Sequence, residues 1–307
     1  MRIFRNFEEA TGLRNPVVTT GSFDGVHVGH KTILKRLSML ADKYNGESVL
    51  ITFHPHPRKV LYPETAGRDL KLINSQEEKI LLLEKAGLDN VIIIEFTKEF
   101  AKTTSEQFVR DYLTGILKAR VVVAGFNHHF GFNKEGDYRQ LWTMREQYGF
   151  EAEEIPEQEV EHETVSSTRI RKAISEGYIQ RANAYLDHYY IVMGTAEKPG
   201  EMPAGAGMSF FSIPVTDENK LLPSDGIYAA SVECMKLTHK SLVIINTFNH
   251  SGPEILVNLP GSDFDMSGKK AVIQFRKKIT GPVFLSDTTN SSSRIASAAA
   301  EISELIY

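Results

Sequence analysis

Two histidines, His27 and His30, flank Val28 and Gly29 in the stretch Thr19-Thr20-Gly21-Ser22-Phe23-Asp24-Gly25-Val26-His27-Val28-Gly29-His30. Neither imidazole is a strong nucleophile, but each can donate a hydrogen bond to a phosphate oxygen. The glycines Gly21, Gly25 and Gly29 let a backbone approach an anion closely. Upstream, Val17 and Val18 read as the end of a buried strand. Downstream, Ile33, Leu34, Leu37, Leu40 and Ala41 recur at helical spacing, so a helix begins near His30. A strand that runs through a glycine-rich turn into a helix offers unpaired N–H groups and a favourable dipole to phosphate. A lone histidine ahead of a helix is usually a capping or surface residue. Two of them in this frame suit the stabilisation of charge on a phosphorus under attack, rather than a covalent intermediate.

The elements that position this turn alternate in type. Ser48–Phe53, Val91–Ile94 and Arg120–Ala124 read as short buried strands. Between them, Ser75 with Glu78 makes a capping box ahead of Ile80 to Leu83. Thr103 with Glu106 opens a helix through Phe108, Tyr112 and Leu113, and another helix forms around Leu141, Trp142 and Arg145. Such alternation predicts a parallel sheet with helices on both faces. Ligands of such sheets sit beyond the carboxyl ends of the strands, where three further motifs fall.

In Thr52-Phe53-His54-Pro55-His56-Pro57, the interleaved prolines predict an extended loop without helix. In Gly125-Phe126-Asn127-His128-His129-Phe130-Gly131-Phe132, the aromatics either tuck under a turn or flank a planar ring, with Asn127 reading a polar edge. The adjacent His128 and His129 are not assigned a metal. In Val165-Ser166-Ser167-Thr168-Arg169-Ile170-Arg171, two arginines stand in the first turn of a helix, where the dipole disfavours cations. Polyphosphate would offset that cost, because guanidinium binds its oxygens bidentately and the hydroxyls add donors.

The texture changes near Asp187-His188. Short strands are expected at 190–195, 226–233, 242–247, 254–258 and 271–275, with a closing helix at 294–305, a pattern that suggests a small antiparallel barrel. At 307 residues the chain has room for two domains. A net charge of −4 without a basic stripe argues against a nucleic-acid partner. The single cysteine, Cys234, excludes an internal disulfide, and no apolar run is long enough for a membrane span, so a cytoplasmic location is expected.

Taken together, these motifs resemble the HxGH nucleotidyltransferases, in the GSFDGVHxGH form of the bacterial bifunctional riboflavin kinase/FMN adenylyltransferases (FAD synthetases). The 52–57 stretch is similar to the family's TFxPHP loop, the 125–132 stretch to its GxNFxFG loop, followed by Gly136-Asp137, and the 166–171 stretch to its SSTRIR motif. The resemblance implies a Rossmann-like α/β adenylyltransferase domain over 1–187 and a riboflavin kinase-like barrel with a C-terminal helix over 188–307. It implies His27 and His30 as catalytic residues, and Gly21, Ser22, Phe23, Asp24, Gly29, Ser166, Ser167, Thr168, Arg169 and Arg171 as ATP-binding. Phe53, His56, Pro57, Asn127 and Phe130 would contact flavin. ATP and FMN are the implied substrates, with Mg2+ arriving on ATP.

The second domain follows its family less closely. Leu222-Pro223-Ser224-Asp225-Gly226-Ile227-Tyr228-Ala229 fits the LPxxGVYA segment, and Glu254 falls where the kinase base is expected. The glycine-rich HGxxxGRxLG loop running into FPTAN is replaced by the divergent stretch 197–214. Positioning is nearly all of phosphoryl-transfer catalysis, so kinase activity is left open. The alternatives are a fully bifunctional enzyme, or a nucleotidyltransferase for another phosphate acceptor with the barrel as a flavin-binding or regulatory module.

Overall fold

The computed structural model describes residues 1–126, 128–156, 159–160, 163–198, 208–247, 253–283 and 288–305. It divides into two compact units, Met1–Leu70 with Lys79–Ser166, and Lys71–Glu78 with Ser167–Tyr307.

The first unit is built on six parallel strands, β1 (Arg2–Phe4), β2 (Val17–Thr20), β3 (Ser48–His54), β4 (Asn90–Glu95), β5 (Val121–Gly125) and β6 (Glu151–Ile155), in the order β1-β4-β3-β2-β5-β6. Val17, Val18, Val49, Leu50, Ile51, Val91, Ile92 and Val121–Ala124 are buried, the continuous apolar runs of a sheet covered on both faces. The chain lays down β2, β3 and β4 in one direction, then returns to place β5 on the other side of β2. The order therefore reverses between β2 and β5, and a crevice opens at their carboxyl ends.

Helix α1 (Val28–Lys43) turns Leu37, Leu40 and Ala41 onto Val17, Val121 and Val123. The opposite face is covered by a largely aromatic cluster of Phe7, Phe108, Leu113, Phe130, Leu141 and Phe150. The 52–57 loop departs from the expectation. Pro57 opens a short helix α2 (Pro57–Leu61), with His56 as its N-cap accepting the Arg58 amide at 3.2 Å. Proline is tolerated there because the first helical N–H has no intrahelical acceptor to lose.

The Ser75–Glu78 box forms reciprocally at the start of α3 (Gln76–Lys85), at 2.9 and 3.2 Å. The next box lies one residue later than expected: Thr104 and Gln107 cap α4 (Ser105–Gln107). Thr103 is already committed to closing the preceding turn, its amide bonded to Phe100 O. From α4 the chain continues as a π-helix, Phe108–Ile116, with Leu117 N bonded to Tyr112 O at 3.0 Å. Helix α5 (Tyr138–Tyr148) is capped by Asp137, which accepts the Gln140 amide, and ends on Gly149 at φ +73°. β7 (Glu159–Val160) and β8 (Glu163–Thr164) form a short antiparallel pair.

The second unit contains α6 (Ser167–Ser175), α7 (Ile179–Leu186) and six antiparallel strands: β9 (Tyr190–Thr195), β10 (Phe211–Ser212), β11 (Gly226–Cys234), β12 (Leu237–Asn246), β13 (Glu254–Asn258) and β14 (Lys270–Thr280). The sheet runs β10-β13-β12-β11-β14-β9. It curls until its two edges meet, where Glu197 and Ser212 exchange backbone hydrogen bonds of 2.8 and 2.6 Å. Helix α8 (Thr288–Glu304) packs Ile295, Ala298, Ala299 and Ile302 against Ile227, Leu242, Ile244 and Leu256. Among the described residues, no helix is long and apolar enough to cross a membrane.

Candidate active site

The turn between β2 and α1 lies at the reversal point of the first sheet. Its backbone is held in an unusual path: Phe23 and Val26 have φ of +48° and +41°, and Gly25 has +97°. For a β-branched residue such as Val26 that conformation is an outlier, maintained when surrounding contacts over-determine it. Gly21 is tightly enclosed as well, since a Cβ there would lie 3.2 Å from the Phe23 ring.

His27 is the N-cap of α1, with Nδ1 accepting the His30 amide at 3.4 Å. That contact assigns the ring proton of neutral His27 to Nε2. The two imidazoles stack with centroids 3.7 Å apart, and the Phe23 ring stacks on His30 from 4.3 Å. Burial lowers His30 well below the ordinary imidazole range, and His27 and the Lys79 ammonium act in the same direction. His30 Nδ1 has no hydrogen-bond partner among the described residues. The turn thus presents closely packed imidazoles at the start of a helix, an arrangement that can donate hydrogen bonds to an anion.

Beneath the turn are two residues that the sequence reading did not select. Lys79 donates to Ser22 O at 3.0 Å and to Thr52 Oγ1 at 3.5 Å, and Thr52 Oγ1 donates to Ser22 O at 3.3 Å. Burial brings the Lys79 ammonium down to about 8, with buried Asp24 opposing the shift. The available signal was a lysine directly before the buried-type run Ile80–Leu83, which reads as an ordinary helix surface charge without the fold.

The other expected residues of this unit fall as follows. Phe53 lies at the carboxyl end of β3 and is partly buried, 5.5 Å from Phe96 and 6.0 Å from Phe100. His56 and Pro57 begin α2. Asn127 lies outside the described residues. Phe130 belongs to the aromatic core, against Phe108, while its neighbours Phe126 and Phe132 are 55% and 43% exposed. Ser166 closes the unit. In the second unit, Ser167 and Thr168 open α6, Arg169 is exposed, and Arg171 Nε donates to Lys71 O at 2.9 Å. Glu254 is the first residue of β13, and 199–207 of the divergent stretch lie outside the described residues.

Two predictions arise here. A Cβ at Gly136 would lie 2.8 Å from two atoms of the Phe130 ring. Gly136→Ala should therefore destabilise the first unit by about 1–3 kcal/mol, read as a lower urea midpoint; an unchanged midpoint would contradict the packing described. Burial also holds His128 down to about 4, with His129 adding to the effect. In the unfolded chain His30 and His128 take up protons near 6.5, so between about 6.5 and 4 the unfolded state binds more protons than the folded one. Stability should accordingly be fully present above about pH 6.5 and decline as pH falls below it. His128→Asn should flatten the melting-temperature profile over this range, and a variant parallel to the parent would exclude His128 as a contributor.

The chain is similar to several known proteins. Residues 10–169 match the family model described as FAD synthetase. A bifunctional riboflavin kinase/FMN adenylyltransferase of Listeria monocytogenes is 31% identical over 231 residues, 75% of this chain and 72% of that protein. An FAD synthetase of the same organism is 34% identical over 203 residues, 66% of this chain and 79% of that protein. A bifunctional riboflavin kinase/FMN adenylyltransferase of Haemophilus influenzae is 27% identical over 293 residues, 92% of each. A solved structure described as a macrolide-efflux protein from Streptococcus pneumoniae aligns over 100% of both chains with a TM-score of 0.87 at 23% identity, which shows a shared fold.

Proposed function

Because the chain belongs to the FAD synthetase family, we propose that it transfers AMP from ATP to the phosphate of FMN, giving FAD and pyrophosphate. A phosphate oxygen of FMN attacks the α-phosphorus in line. The new P–O bond forms as the bond from the α-phosphorus to the α,β-bridging oxygen breaks, and pyrophosphate leaves with that electron pair. His27 and His30 donate hydrogen bonds to the α-phosphoryl oxygens, where charge grows in the transition state. The observation that carries this reading is the stacked His27–His30 pair at the start of α1.

The remaining assignments rest on the motifs. Gly21, Ser22, Phe23, Asp24 and Gly29 bind ATP beside the histidines. Ser166, Ser167, Thr168, Arg169 and Arg171 hold the β- and γ-phosphates. Phe53, His56, Pro57, Asn127 and Phe130 contact the flavin. Among the described residues no group of three or more His, Cys, Asp or Glu side chains could hold a metal. Magnesium is assigned to the substrate, as the ATP complex, with phosphate oxygens and water as ligands. A net charge of −4 supports small-molecule substrates rather than nucleic acid, and the cytoplasm is the assigned compartment.

A second reading, in which 188–307 also phosphorylates riboflavin, is favoured by the two bifunctional relatives. It is opposed by the missing Pro-Thr-Ala-Asn tetrad; Glu254 would then act as base. The adenylyl step is tested by labelling ATP separately at its α- and γ-phosphorus and offering FMN. The α-label should appear in the flavin product and the γ-label in pyrophosphate. A γ-label in the flavin would replace adenylyl transfer with phosphoryl transfer.

A further inference from the structure

The Ser22–Phe23 peptide determines where the Phe23 ring goes. Phe23 has φ +48°, a conformation an L-residue leaves readily unless its neighbours forbid it. The carbonyl of that peptide, Ser22 O, accepts from both the Lys79 ammonium at 3.0 Å and the Thr52 hydroxyl at 3.3 Å. Fixed in this way, Phe23 places its ring on His30 at 4.3 Å, and His30 lies on His27 at 3.7 Å. Lys79, 7% exposed, and Thr52, fully buried, present little or no surface to solvent that would explain them otherwise. A buried ammonium is costly unless its hydrogen bonds are made, and here it spends them on the turn.

We propose that Lys79 is a positioning residue for adenylyl transfer, fixing the Ser22 carbonyl so that Phe23 is held against the His30–His27 pair. This rests on the FMN adenylyltransferase reading. The ammonium need not touch substrate; it sets the orientation of the imidazoles through one peptide and one ring. A misplacement of about 1 Å in such groups costs up to about 10²-fold.

The test compares the full-length protein with Lys79→Met, Phe23→Leu and the double variant. Lys79→Met keeps a similar apolar stem and removes the donors. Each single variant should lower kcat about 10- to 100-fold, and in Lys79→Met KM for ATP should change much less. The double variant should be no slower than the slower single one, because both changes cut the same chain of contacts. Losses that multiply in the double variant would overturn the proposal.

A readout independent of turnover separates this idea from the functional reading. The His30 ring protons, lying against the face of Phe23, should resonate upfield in the parent protein and return toward ordinary positions in Lys79→Met. Unchanged His30 ring shifts in that variant would overturn the proposal even if activity fell. Absence of FAD formation by the parent protein, with the ring shifts responding as stated, would instead remove the adenylyltransferase reading and leave the positioning intact. Should Lys79→Met not fold, Thr52→Val removes the other donor to the same carbonyl. It should move the same ring signals partway, and an unmoved His30 would overturn the proposal there too.

Discussion

Replacing His27 with alanine should reduce kcat for FAD formation by about 10²–10³-fold, the loss typical of one preorganised donor to a developing charge. Its Nδ1 is engaged with the His30 amide, so the ring orientation is set before substrate arrives. Ground-state binding of ATP draws on many contacts, so KM for ATP should change only a few-fold; a fall in kcat and kcat/KM together marks an interaction made in the transition state. The same substitution removes the cap of α1, which costs about 0.5–2 kcal/mol. At 3.4 Å the cap is long, and the lower end of that range is expected. His27→Asn separates the two roles: it restores a capping side chain and should recover the stability while leaving kcat low. A variant with near-normal kcat would remove His27 from the catalytic assignment.

The second large effect concerns stability. Lys220 and Glu78 are paired at 2.7 Å inside the second unit, with side chains only 2% and 1% exposed. The ammonium has three N–H donors and uses all of them, on Glu78 Oε2, Ile73 O at 2.6 Å and Ile191 O at 2.8 Å. It also lies 4.3 Å from the centre of the Tyr190 ring. Glu78 is equally occupied: Oε1 accepts the Met193 amide and Oε2 the Ser75 amide, both at 2.9 Å. Lys220→Met leaves a buried carboxylate without its cation, and should destabilise by about 3–5 kcal/mol. Adding Glu78→Gln removes that charge as well, so the double variant should be more stable than Lys220→Met alone. Urea unfolding of the parent and of both variants checks this. A Lys220→Met protein as stable as the parent would mean the pair is not buried as described.

How much of this was legible in the sequence depended on what each segment had to announce. The parallel sheet was, because Val17-Val18, Val91–Ile94 and Val121–Val123 are unbroken β-branched runs that make sense only when covered on both faces. The strand–turn–helix frame around His27, His30 and their glycines was, because Val17-Val18 precedes the turn and the helical spacing of Ile33 to Ala41 follows it. Strand ends in the second unit were not. β12 begins at Leu237, earlier than the apolar run at Leu242, and β14 continues to Thr280, past Phe275. Thr238, His239, Lys240, Lys277 and Lys278 pair through their backbones, which residue type does not reveal. The turn joining β11 and β12 places Met235 and Lys236 at φ of +51° and +67°, without the Asn or Gly that usually marks such a hairpin.

Helix α8 starts at Thr288, ahead of Arg294, in a serine- and threonine-rich stretch of modest helix propensity. Lys79 was invisible for a different reason. A lysine following Glu78 at the start of a helix looks solvated, and only tertiary structure shows its ammonium bonded to Ser22 O in the turn before α1. Long-range burial of a polar group leaves no local periodic signature, which is why Lys220 also escaped attention and Thr52 was read only as part of its loop motif.

The measurement that bears most directly on the account is a single incubation of the purified full-length protein with ATP, magnesium and FMN, followed by separation of the flavins. The account predicts that FMN is converted to FAD with one pyrophosphate released per FAD, and that His27→Ala forms FAD about 10²–10³-fold more slowly. FMN recovered unchanged, under conditions where the protein is folded and ATP is present in excess, would contradict it.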